Sequence, residues 1–208
     1  MKITKLGHCC MFIETGKLNI LTDPGNFSTK QDELKNIDIV LITHEHQDHL
    51  HVESLKKVLK NNPSAKVITN NAVKKILEKE KINSELLTHG MKKEIKGILF
   101  EGLGEKHAEI YKTVTPVENT GYFINDFFFP GDALTVPKRK VKILALPVAG
   151  PWIKVSESID YCLAVKPEIA IPVHDGMQAV KINARIVRGF VEPKGIKWHS
   201  IDETPLEF

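Results

Sequence analysis

The stretch ITHEHQDHLH, residues 42–51, places four of the chain's nine histidines and an aspartate in ten positions. Before it runs IDIVLIT (37–43), apolar apart from Asp38 until its closing threonine; after it runs VESLKKVLK (52–60), with helical spacing and a stop at Asn61, Asn62 and Pro63. A strand covered on both faces, a polar loop and then a helix is the local pattern of an α/β protein. Loops at the C-terminal ends of such strands are where that class places its chemistry.

The spacing inside the loop has a physical use. Residues two apart in an extended stretch share a face, so His44 and His46 can close on one cation. Asp48 and His49, on the turn into the helix, can aim at a second cation beside it. Glu45 should face away, and His51 lies beyond the pattern on the helix. Imidazoles suit zinc, iron, nickel or copper, and a carboxylate offsets their charge. Further ligands are expected at other strand ends, where three residues qualify: His107 in LGEKHAEI, Asp132 in FFPGDAL and His174 in IPVHDG.

The rest of the chain continues the alternation. Strands are expected at 3–6, 11–13, 18–22 (ending in the turn DPGN), 66–69, 142–148 and 168–174, and helices at 71–80, 156–166 with Ser156 as cap, and 177–190. Asn125 and Asp126 sit between GYFI and FFFP as a two-residue hairpin turn. No linker or low-complexity segment interrupts the pattern. It reads as a single domain over 1–208, with halves of about 1–105 and 106–208 each supplying strands and helices.

Composition excludes several classes. No apolar run approaches the roughly 18 residues of a membrane span, so a cytoplasmic protein without a membrane partner is expected. Three cysteines are too few for a disulfide framework, and the adjacent Cys9 and Cys10 should point to opposite faces as small buried hydrophobes. Net charge is +3, and only PKRKVK (137–142) is locally basic, a thinner footprint than nucleic-acid binders carry.

The order HEHQDH, then His107, Asp132 and His174, resembles the signature of the metallo-β-lactamase fold superfamily. GHCCMFIETGKLNILTDPG (7–25) resembles that family's first strands and turn. The resemblance implies an αβ/βα sandwich of two sheets between helices. It also implies two divalent cations: His44, His46 and His107 would hold one, Asp48, His49 and His174 the other, and Asp132 both. Zinc comes first, with manganese or iron accepted by the same ligands. A hydroxide shared by the two cations would attack the substrate, with Asp48 and Asp132 as the catalytic carboxylates.

His8 and Asp23 match positions that the family keeps near its metals, where they would orient a ligand; a strand-end histidine and an Asp-Pro turn explain them as well. Within the superfamily the chain resembles the branch of L-ascorbate-6-phosphate lactonases and related metal-dependent hydrolases, but departs from it in the loop with Pro151, Trp152 and Lys154. Trp152 is expected to wall the pocket and Lys154, or the PKRKVK run, to attract an anionic group. Aspartate rather than cysteine at 132 disfavours antibiotic hydrolysis, and Glu45 is out of register for the di-iron branch. The expected function is hydrolysis of a small carbonyl ester, lactone or phosphoester, leaving a phosphodiesterase or ribonuclease acting on nucleotides or RNA, and a non-catalytic metal-binding module, as alternatives. Oligomeric state is not legible.

Overall fold

A computed structural model describes residues 1–200 and 205–207. β1 (Lys2–Gly7), β2 (Cys10–Glu14) and β3 (Asn19–Thr22) form an antiparallel meander. β4 (Ile39–Ile42), β5 (Lys66–Thr69) and β6 (Ser84–Leu86) then continue the sheet in parallel. Parallel neighbours need crossovers, and α1 (Val52–Asn61) and α2 (Asn71–Lys79) supply them.

The second sheet repeats the plan. β7 (Lys92–Ile95), β8 (Ile98–Leu103), β9 (Gly121–Ile124) and β10 (Phe127–Phe129) are antiparallel neighbours. β11 (Ile143–Pro147), β12 (Ile169–Val173) and β13 (Lys197–Trp198) follow in parallel, crossed by α3 (Val155–Val165) and α4 (Ile182–Val191). A short β14 (Leu206–Glu207) returns to the first sheet and pairs with β1.

Strand periodicity sorts the apolar residues into three layers. Ile39 and Leu41 face inward between the sheets, together with Phe127, Phe129, Ile143 and Ala145. Val40 and Ile42 face outward under Leu55 and Val58 of α1 and Val73 and Leu77 of α2. Phe128, Leu144 and Leu146 face the other way, under Tyr161 and Cys162 of α3 and Val187 and Val191 of α4. Helix, sheet, sheet, helix is the four-layer αβ/βα sandwich. Cys9 and Cys10 fall on opposite faces of the first sheet, one in the central layer and one under the helices.

Several boundaries differ from the expected ones. The second sheet begins at Lys92 rather than near 105, because the β7–β8 hairpin pairs with β9; its alternation, KKEI then ILFEGL, carries little apolar signal on the exposed edge. The N-cap of α3 is Lys154 rather than Ser156, and Glu157 Oε2 accepts the Lys154 amide at 2.7 Å. His51 is the N-cap of α1 rather than a residue of its face. The last helix begins at Ile182, not 177, because residues 172–176 are tied to β1. No helix among the described residues is long and apolar enough to cross a membrane.

Candidate metal centre

The seven sequence-predicted ligands converge where both sheets present strand ends. His44 and His46 follow β4, His107 follows β8, Asp132 follows β10 and His174 follows β12. Asp48 and His49 arrive on the turn before α1. That turn rests on the DPGN segment: Asn26 N–H donates to Gln47 O at 2.9 Å, and His51 N–H to Pro24 O at 3.1 Å. Gly25 has to be glycine there, since a Cβ would lie 1.8 Å from the Asp48 carbonyl oxygen.

The candidate ligand atoms form two groups of four, and a third set brings Cys9 beside His49 and Asp132, where burial holds its thiol protonated. One nitrogen or oxygen from each of His44, His46, His107 and Asp132 lies within 4.8 Å of the others, and the same holds for His8, Asp48, His49 and His174. Asp132 joins the groups. Its Oδ2 is 2.9 Å from His174 Nε2, 3.3 Å from His107 Nε2 and 3.9 Å from His44 Nε2, while Oδ1 is 3.1 Å from His49 Nε2. Asp48 Oδ2 lies 3.4 Å from His174 Nε2 and 3.6 Å from His49 Nε2. His44, His49, His107, His174 and Asp132 are buried, whereas His46 and the Asp48 carboxylate, 21% exposed, reach solvent. The centre therefore opens on the side of His46 and Asp48.

Hydrogen bonds fix which imidazole nitrogen is free. His49 Nδ1 donates to Asp23 Oδ2 at 2.6 Å, and His107 Nδ1 donates to the Ala108 carbonyl at 2.6 Å. Thr43 spends its hydroxyl proton on Asp23 Oδ2 at 2.7 Å, so it accepts from His44 Nδ1 at 3.0 Å. For His44 and His107 this leaves the lone pair on Nε2, pointing into the centre; His49 also aims Nε2 inward, at Asp132 Oδ1, and frees a lone pair there when its proton is displaced.

The Nε2 atoms of His49, His107 and His174 and Oδ1 of Asp132 are buried with no hydrogen-bond partner. Their near polar neighbours are one another, with the imidazole nitrogens 2.9–3.3 Å from Asp132 oxygens, so without a cation they rest on ion pairing and not on well-directed hydrogen bonds. Four of them facing one another, with donors of nitrogen and oxygen only, is what divalent cations such as zinc would satisfy.

His8 is a different case. Gly176 N–H donates to its Nδ1 at 3.1 Å, so the ring proton sits on Nε2 and donates to Asp48 Oδ2 at 3.1 Å. His8 is thus bound to a candidate ligand carboxylate rather than offering a lone pair of its own. Burial pushes its pKa down to about 4, against the pull of Asp48, which keeps it neutral. His8, Asp23 and His174 all have left-handed backbones, with φ of 51°, 38° and 61°. Such conformations in non-glycine residues cost about 1–3 kcal/mol each and gather where structure holds a site in place.

The charges are strongly coupled. Burial would depress His174, but Asp132 and Asp48 raise its pKa to about 9. Burial opposes protonation of His49 too, yet Asp132 and Asp23 hold its pKa well above the ordinary value. Burial would raise Asp132, and the facing His49 and His174 keep it well below the usual carboxylate range. His44 is depressed by burial and by His49.

Trp152 stands edge-on at 5.5 Å from the rings of both His107 and His174, and its buried Nε1 has no partner. Lys154 is exposed two residues on, at the start of α3. The PKRKVK run spends charge elsewhere: Arg139 pairs with Asp126 at 3.2 Å and Glu101 at 3.5 Å and covers the Phe123 ring, and Lys140 pairs with Glu168 at 2.6 Å. Thr43 and Asn119 were not among the expected site residues. Asn119 Oδ1 accepts from the Asp132 amide at 3.1 Å and its Nδ2 donates to Pro130 O at 2.9 Å, locking the turn that aims Asp132. No local motif marks Asn119, which lies 13 residues before its partner.

Residues 2–174 match the beta-lactamase superfamily domain. The chain belongs to the metallo-β-lactamase superfamily, among its metal-dependent hydrolases. Protein Rv0786c of Mycobacterium tuberculosis is 34% identical over 185 residues, 86% of each chain. The metal-dependent hydrolase Ta0764 of Thermoplasma acidophilum is 30% identical over 193 residues, 84% of this metallo-β-lactamase-family chain and 83% of its own. In three dimensions, a putative metal-dependent hydrolase from Parabacteroides distasonis superposes with a TM-score of 0.79 at 22% identity, over 96% of this chain and 92% of that one, a likeness of fold.

Proposed function

We propose that this metallo-β-lactamase-family chain is a hydrolase using two divalent cations, zinc first, on a small-molecule ester, lactone or phosphoester. The observation that carries the reading is Asp132, whose two oxygens face imidazoles of both ligand groups. His44, His46 and His107 would hold one cation and Asp48, His49 and His174 the other, with Asp132 common to both. When bound, such a pair supplies a water with its pKa lowered to about 7 and polarises a carbonyl or phosphoryl group.

The chain's own residues divide the remaining work. Asp132, buried and aimed by Asn119, holds the two halves of the centre in register. Asp48, the carboxylate that reaches solvent, is held ionised against burial by His174, His8 and His49, so a water at that mouth and not Asp48 returns the proton to the leaving group, while His8 sets the orientation of the Asp48 carboxylate. Trp152 walls the pocket and offers its indole N–H to a substrate oxygen; Lys154 offers a cation to an anionic group. Three free, buried cysteines fit a reducing compartment, and we place the protein in the cytoplasm. The pairing of Arg139 and Lys140 leaves little support for RNA as substrate.

The test combines metal content with rates. The wild type should retain two cations per chain and hydrolyse either bis(4-nitrophenyl) phosphate or a simple lactone, and Asp132→Ala should lose both properties. Two cations with no rate above the variant on either substrate would favour a metal-binding module. A rate confined to the phosphodiester, with binding that weakens steeply in salt, would favour nucleotides.

A further inference from the structure

A lysine occupies the layer between the sheets. On β1, Lys5 has the same parity as Ile3 and is 2% exposed, where alternation calls for an apolar side chain. Its Nζ donates to the Pro172 carbonyl at 3.0 Å and to Asp175 Oδ1 at 2.8 Å. Asp175 is fully buried and its Oδ2 lies 3.2 Å from Lys181 Nζ. Burying such a pair is costly, and an apolar pair of similar volume often gives equal or greater stability.

The position of the pair points to what it does. Pro172 and Asp175 bracket His174, and the same segment makes two more bonds to the end of β1: His174 N–H donates to His8 O at 3.2 Å and Gly176 N–H to His8 Nδ1 at 3.1 Å. β1 and β12 belong to different sheets, so these four bonds are a strap across the sandwich. Between Lys5 and Gly7 the β1–β2 register shifts, which re-aims the strand end that carries Lys5 and His8.

We propose that Lys5 is a positioning residue for His174. Its ammonium clamps the chain on both sides of His174 and keeps that residue in the left-handed conformation that turns Nε2 toward Asp48 and Asp132. The clamp serves the cation site of Asp48, His49 and His174, and in that respect it rests on the two-cation reading above. Removing it should loosen this site and spare that of His44, His46 and His107.

The test uses Lys5→Met, and Lys5→Met with Asp175→Asn, which removes the buried charge pair as a unit, if the single variant folds poorly. Zinc titration of the metal-free proteins should show one site near wild-type affinity and the other weakened about 10- to 100-fold, the range for groups that support metal ligands. Amide hydrogen exchange, followed by NMR on the metal-free proteins, supplies a reading independent of metal. Protection of His174 and Gly176 should fall at least as much as zinc affinity, while that of β2 and β3 stays as in the wild type. Unchanged protection at His174 and Gly176 in the folded variant overturns the clamp, however many cations bind. Two sites of wild-type affinity overturn it as well. A wild type binding fewer than two cations counts against the two-cation reading, while the exchange result still decides the clamp.

Discussion

His8 shows how much a single proton position decides. Because the Gly176 amide occupies Nδ1, Nε2 carries the proton and serves Asp48 as a donor. His8→Gln, which keeps a donor within reach, should bind zinc better than His8→Ala, and the alanine variant should weaken one site about tenfold or more by calorimetric titration. Equal, complete loss of one cation in both variants would instead make His8 a ligand. Asp23 is the buried hub of three donors: Thr43 N at 2.8 Å, Thr43 Oγ1 at 2.7 Å and His49 Nδ1 at 2.6 Å. Asp23→Asn sets an amide donor against one of these, and we expect a loss of about 2–3 kcal/mol in urea unfolding of the metal-free protein.

At the scale of elements, two glycines give opposite expectations. Gly25 lies in the turn that supports the HEHQDH loop, where an added Cβ would overlap the Asp48 carbonyl. Gly25→Ala should push that loop off its support, costing about 1–3 kcal/mol in a thermal melt and weakening zinc binding with it. Gly189 sits inside α4, with nothing within 4 Å of an added Cβ. Gly189→Ala should therefore stabilise by about 0.5–1 kcal/mol and leave metal binding unchanged, as a raised Tm would show. The helices and inner strands were legible because their apolar spacing is strong; the β7–β8 edge hairpin and the start of α4 were not. The first lacks apolar contrast, and the second is set by bonds from Lys5 and His8, more than 160 residues away.

At the scale of the whole molecule, the centre ties pH to stability. His174 has its pKa raised from 6.5 to about 9, so its contribution to the metal-free protein is complete below 6.5 and lost as pH rises through 9; His49 acts in the same direction. His8 is lowered to about 4, so the folded state loses stability as pH falls from 6.5 toward 4, and the lowered His44 and His46 add to that loss. Melting temperature of the metal-free protein should peak near neutral pH and fall on both sides. Zinc-loaded protein should hold its stability to pH 9, because the bound cation replaces the protons on His49 and His174. A metal-free profile that keeps rising past pH 9 would show that these imidazoles are not held protonated.

The sequence by itself determined the α/β class, the sandwich by resemblance, and the identity and order of the seven candidate ligands, because strand-end histidines and aspartates after apolar runs are local signals. It left His8 and Asp23 undecided between orienting a ligand and filling a turn, and it passed over Lys5, Thr43 and Asn119. Only the tertiary structure decided these: a side chain's role there depends on what the other sheet or a distant turn places against it. Lys5 meets Pro172 and Asp175, and Asn119 meets the amide of Asp132, only once both sheets have closed on their shared core. Hydrophobic periodicity records which face is buried, but not which buried polar group will find a partner across it.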